Sequence, residues 1–204
     1  MRLQFFIYAL ILSFTFTSCS QEKKDLVLEG IKGFQQKLNL EYADVNTSPL
    51  TKEDAIIFSK LDFFPIDKKY YVVADFKRTP NEKPFKMPTT TSRLSEYVKY
   101  GEAVFTLDGK KHKLDIYQSL SLREKPEYKN YLFLPFTDET SGKESYSGGR
   151  YIDLTIPKGN TIVIDFNKAY NPYCAYNHKY SCPIPPKGNH LSIPVRAGVK
   201  KYKN

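Results

Sequence analysis

The stretch EAVFTLDGKKHKLDIYQS, residues 102–119, decides the fold. Apolar and polar residues alternate on both sides of Asp108-Gly109. Alternation with period two puts one set of side chains on one face of a sheet. Asp-Gly supplies the two positive-φ positions of a two-residue turn whose twist matches paired antiparallel strands. The segment is therefore read as a strand at AVFTL, a tight turn and a second strand at HKLDIY.

The same period extends outward. KKYYVVADFKR (68–78), SEYVKY (95–100), YKNYLFLPF (128–136), GRYIDLTI (149–156), TIVIDF (161–166) and HLSIPV (190–195) are rich in Val, Ile, Tyr and Phe, with PKGN (157–160) as another hairpin turn. About eight short strands joined by tight turns predict an antiparallel β-sandwich or a partly open barrel. Parallel α/β organisation is disfavoured, because no helices alternate with the strands.

Before the strands the period is helical. In KKDLVLEGIKGFQQKLNLEYAD (23–44), Leu26, Leu28, Ile31, Phe34, Leu38 and Leu40 fall near one face, with Gly30 and Gly33 weakening the helix. Thr51 is placed to cap a second short helix that ends before Pro65, with Glu53 and Asp54 in its first turn. The fold class is mainly β with N-terminal helices, that is α+β.

The chain starts MRLQFFIYALILSFTFTSCSQEKKD, with Arg2 followed by an apolar run over residues 5–16. That run is shorter than the ~20 residues of a membrane-spanning helix. A basic start, a short apolar core and small residues before a cut site describe a secretory signal. Phe16-Thr17-Ser18-Cys19 resembles a lipobox, although Phe16 departs from the usual aliphatic residue. On this reading residues 1–18 are the signal peptide, Cys19 carries the lipid, residues 19–25 form a polar tether and residues 26–204 one domain. An ordinary signal cut nearby, with Cys19 incidental, is the alternative. The charged tether also resembles the surface-export signal of lipoproteins in the Bacteroidota. The expected location is the cell envelope, lipid-anchored at the outer membrane on its periplasmic or surface face.

The net charge is +9 and the lysines are dispersed rather than clustered, as on a solvated surface. An exported protein does not meet the genome, so nucleic acid is not an expected partner. The partners expected are the membrane, through the anchor, and a small ligand or another envelope protein.

Two polar blocks stand out. In TDETSGKESYSGGRY (137–151), Arg150 is suited to a bidentate pair with Asp138 or Asp165, or to an anionic ligand. The acids Asp138, Glu139, Glu144 and Asp153 do not have the spacing of an EF-hand. After TIVIDF come Asp165, Asn167, Tyr170 and Asn171, polar residues at a strand end that serve equally as turn formers or as a ligand site. The second block continues as NPYCAYNHKYSCPIPPKGNH (171–190). With Cys19 lipidated, Cys174 and Cys182 are the remaining pair, and an exported protein would bridge them. Metal binding by Cys174, His178, Cys182 and His190, at spacing C-x3-H-x3-C-x7-H, is the second reading. A cysteine nucleophile served by one of those histidines is the third. No serine elbow, phosphate loop or cofactor motif occurs, so no catalytic residue, metal or cofactor is assigned. The sixteen tyrosines would suit a sugar-stacking platform or ordinary packing.

LPFTDETSGKESYSGGRYIDL (134–154) and IDFNKAYNPYCAYNHKYSCPIPPKGNHLSIPVRAGVK (164–200) resemble the bacterial family known as domain of unknown function 1684. The positions that carry the resemblance include Asp138, Arg150, Tyr151, Asp165, Asn167, Tyr170, Asn171, Pro172, Cys174, Cys182 and Pro183. The resemblance implies no activity. The function expected is therefore a non-enzymatic, lipid-anchored envelope domain that binds a small ligand or partner. An envelope hydrolase using Asp138, Arg150, Asp165 and Asn167, and a purely structural envelope protein, are the alternatives.

Overall fold

The computed structural model describes residues 15–203, with side chains from Leu26 onward. The expected signal segment falls almost wholly outside the described residues, as does the Cys19 side chain.

Helix α1 (Thr15–Ala43) and the short α2 (Lys52–Ile57) precede eight strands. These are β1 (Tyr71–Arg78), β2 (Phe85–Pro88), β3 (Leu94–Leu107), β4 (Lys110–Ser119), β5 (Tyr131–Asp138), β6 (Arg150–Thr155), β7 (Thr161–Asp165) and β8 (His190–Leu191). They form one curled half-barrel sheet in the order β6-β5-β4-β3-β1-β7, with β2 added to β3 and β8 to β5. All pairings are antiparallel except β8 on β5.

The hairpin at Asp108-Gly109 forms as its sequence dictates. Leu107 pairs with Lys110, and the two turn residues take φ of 50° and 72°. The two strands expected before it merge into the single 14-residue β3, with a bulge between Lys99 and Gly101. A side chain at Gly101 would sit 2.6 Å from the Phe76 ring and 2.7 Å from the Lys77 carbonyl, so only glycine lets β1 and β3 approach there.

PKGN does not make a hairpin. The strands it joins, β6 and β7, are the two ends of the main strand order. The link of residues 156–160 spans at most about 20 Å when extended, so the sheet must curl until those edges approach. That curl is the partly open barrel. HLSIPV yields only the two residues of β8, and β2 was not anticipated.

Alternation along the strands separates two cores. On one face Leu114, Ile116, Leu132, Leu134, Phe136 and Ile152 pack with Ile164 and Phe166 beneath the C-terminal Leu191, Ile193, Val195 and Ala197. On the other face Tyr97, Tyr117, Phe133 and Tyr151 gather with Met87. Helix α1 buries Ile31, and packs Leu38 and Tyr42 against Leu50, Leu61, Tyr176 and Val199. Leu40 is exposed, because at 3.6 residues per turn it lies about 180° from Ile31. Thr51 caps α2 by accepting from the Asp54 amide at 3.1 Å. The helix stops at Ile57, with Phe58 extended, well short of Pro65.

Candidate functional site

Strands β5 and β6 pair so that Phe133 stands opposite Asp153. Leu132, Leu134 and Ile152 point into the main core, and the pleat sends Tyr131, Phe133, Tyr151 and Asp153 to the opposite face. Tyr97 of β3 adds a further ring. The segment after β7 is fastened beside them: Tyr151 and Tyr170 exchange backbone hydrogen bonds of 2.9 and 3.0 Å. Tyr170, Pro172, Tyr173, Tyr180, Ser181, Cys182 and Pro183 then form a second wall, and Phe34, Lys37, Leu38 and Glu41 of α1 a third. Together they enclose a cavity of about 450 Å³.

The walls are tyrosine and phenylalanine rings set at steep angles. Phe133 and Tyr151 meet at 74° with centroids 4.7 Å apart, and Tyr151 and Tyr170 at 89° and 5.9 Å. Asp153 is the carboxylate among them. Its Oδ1 accepts hydrogen bonds from the hydroxyls of Tyr170 at 2.7 Å and Tyr131 at 2.8 Å. Its Oδ2 accepts none from any described residue, and Asp153 as a whole is solvent-exposed. Enclosure by the rings raises the Asp153 pKa, and the two hydroxyl donors only partly oppose that rise. Burial likewise drives Tyr131 and Tyr170 upward, reinforced by the Asp153 charge, so both stay protonated donors. At the α1 wall Tyr173 donates to Glu41 at 2.7 Å.

Of the six expected ligand-binding residues, only Tyr170 lines this cavity. Arg150 and Asp138 form a buried ion pair at 2.8 Å on the other side of the sheet. The guanidinium also donates to the carbonyls of Val195 (2.8 Å) and Ala197, between the rings of Phe64 and Phe136. Asp138 accepts in turn from the amides of Thr140 and Val195. The loop between β5 and β6 is accordingly anchored rather than merely solvated, with Thr140 and Ser145 buried and their hydroxyls 2.8 Å apart.

Asp165 accepts from the amide and side chain of Asn167, and Asn167 exchanges hydrogen bonds with the backbone of Asp67, pinning the start of β1. Asn171 donates to Lys200 O at 2.8 Å, holding the C-terminal segment. Each of these residues is a staple with its own partners.

Cys174 and Cys182 are adjacent but carry free thiols, and the expected bridge is not formed in this structure. The Cys174 amide donates to Cys182 Sγ at 3.1 Å. Donation from the Cys182 thiol lowers the Cys174 pKa. The four residues of the metal reading do not gather: His190 bonds Thr137 at 3.0 Å and Glu139 at 3.3 Å instead. Among the described residues no three of His, Cys, Asp and Glu converge as metal ligands would.

Sequence reasoning weighed Asp153 only among the acids that lack EF-hand spacing, and missed the rings of Tyr97, Tyr131 and Phe133. The signal was present in RYIDL, where the period of two puts Tyr151 and Asp153 on one face and Ile152 and Leu154 on the other.

Residues 57–200 match the family described as "Protein of unknown function (DUF1684)", and the chain belongs to it. Its fold is similar to the solution NMR structure of an uncharacterized protein from Haloarcula marismortui, with a TM-score of 0.69 and 30% identity over 88% of this chain and 96% of that one. No curated protein matches the sequence. Tyr151, Tyr170, Pro172, Cys182 and Pro183, which carry the family resemblance, are all cavity residues, whereas the α1 wall precedes the matched region.

Proposed function

We propose that this protein is a binding module that holds a small ligand in the aromatic cavity, on a domain tethered to the cell envelope through a lipid on Cys19. One observation carries the binding reading: Asp153 lines a ring-walled cavity, with Oδ1 fixed by two tyrosine hydroxyls and Oδ2 bonded to no described residue. An acceptor oriented in this way, in a cavity of 300–1,000 Å³, is the usual geometry of small-ligand recognition. The residues nominated for hydrolysis give that alternative no support, since Asp138, Arg150, Asp165 and Asn167 all lie outside the cavity and bond to one another or to nearby backbone.

A screen of small sugars, amines, carboxylates and lipids by protein thermal shift tests the reading. At least one class should raise the melting temperature of the full chain, and Phe133→Leu should abolish the rise. If every class leaves the unsubstituted protein unmoved, the binding reading is lost.

A further inference from the structure

We infer that the cavity accepts a small alkylated ammonium ion, with the cationic head enclosed by the Phe133, Tyr151 and Tyr170 rings and neutralised by Asp153. This rests on the binding reading above and adds the chemical class of the ligand.

Three features converge on that class. Rings present negative π faces, and a cation over such a face is attracted by the ring quadrupole. Here the successive walls stand at 74° and 89° to one another. Walls at right angles make a box for a compact, roughly spherical head. A sugar ring is flat and asks instead for an open aromatic face to lie on.

The second feature is charge. Asp153 and Glu41 line the cavity, against Lys37 as the one cation among its lining residues; Asp153 and Lys37 are both exposed. The enclosed potential is therefore negative from both the carboxylates and the rings. An anionic ligand would meet repulsion from Asp153 and Glu41.

The third feature is the hydrogen-bond arrangement. Tyr131 and Tyr170 both donate to Asp153 Oδ1, so their hydroxyls are occupied. What remains is the Oδ2 acceptor with no donor among the described residues. An alkylated ammonium supplies the missing positive charge and an apolar surface for the rings, and, when it keeps an N–H, the missing donor as well. A neutral ligand seated over Asp153 would take the Oδ2 acceptor out of water without supplying a charge in return.

Choline and its neutral carbon isostere, 3,3-dimethyl-1-butanol, separate charge from shape. They are titrated into the full chain and into Asp153→Asn by calorimetry. Choline should bind the unsubstituted protein at least tenfold more tightly than the isostere, and Asp153→Asn should remove that difference while leaving isostere binding in place. Equal affinity for the two probes would overturn the ammonium assignment and leave the cavity as an apolar binding site. Failure of choline where a sugar or fatty acid binds would overturn it in the same way. If no probe of any class binds, both this inference and the binding reading fall together.

Discussion

Arg150 and Asp153 lie three positions apart on one strand, and the pleat gives them opposite fates. Arg150 faces the main core, where its fork holds Asp138 and the carbonyls of the C-terminal segment. Lysine would keep the charge but lose the planar fork. Breaking a buried pair costs about 3–5 kcal/mol. Arg150→Lys should therefore lower the melting temperature by roughly 6–20 °C, at about 2–4 °C per kcal/mol. A cycle with Asp138→Asn should show strong coupling, and additive losses would mean that the two residues act separately.

Asp153 behaves oppositely. Its folded pKa is raised, so its contribution to stability is complete below the unfolded carboxylate pKa and is lost as pH rises through the folded value. Asp153→Asn keeps an acceptor for both tyrosines and should leave the melting temperature unchanged or higher, while cation binding disappears. A loss of several degrees would make Asp153 a structural residue. Affinity for choline should fall as pH drops through the raised Asp153 pKa. The neighbouring Tyr131, Tyr170 and Tyr173 hydroxyls are all shifted upward and stay neutral through that window. Glu41, on the α1 wall, is the other carboxylate facing the cavity, and Lys37 the cation at its rim. The pH step should persist in Glu41→Gln, and its disappearance there would assign the titration to Glu41.

At the scale of elements, the legible parts were those with local causes. Asp108-Gly109 specified its hairpin because two adjacent residues supply the turn geometry. Thr51 specified a helix start because the cap bond spans three residues. PKGN misled because a turn-forming composition does not say which strands pair, and here the strands it joins are opposite edges. The Cys174–Cys182 loop lies between these cases. Spacing alone placed the cysteines together, and the structure brings Cys174 N to within 3.1 Å of Cys182 Sγ. Under mild oxidation the two thiols should join into one bridge, detected as loss of both free thiols in the intact mass. Chain entropy for so short a loop predicts a gain of about 2.5 kcal/mol. Two thiols that survive oxidation, or a bridged form less stable than the reduced one, would contradict this.

At the scale of the molecule, the sheet divides the chain's polar residues into staples on one side and a cavity on the other. Asp138, Arg150, Asp165, Asn167 and Asn171 were visible in the sequence because special polar residues cluster there, yet clustering does not distinguish a staple from a ligand contact. Asp153 and Tyr131 were hidden because they meet across strands β5 and β6, 22 positions apart, and only register brings them to 2.8 Å. Among the described residues no helix is long and apolar enough to cross a membrane. The proposed attachment is through Cys19, and Cys19→Ala should release the protein from the membrane fraction. Retention without lipid labelling would remove the anchor from the account.

The most direct test of the central claim is a choline titration followed by aromatic carbon–proton NMR on the full chain. The account predicts saturable shifts of the Phe133, Tyr151 and Tyr170 ring signals, with the Phe64 and Phe136 rings around Arg150 unmoved. Saturating choline with no change at those three rings would contradict it.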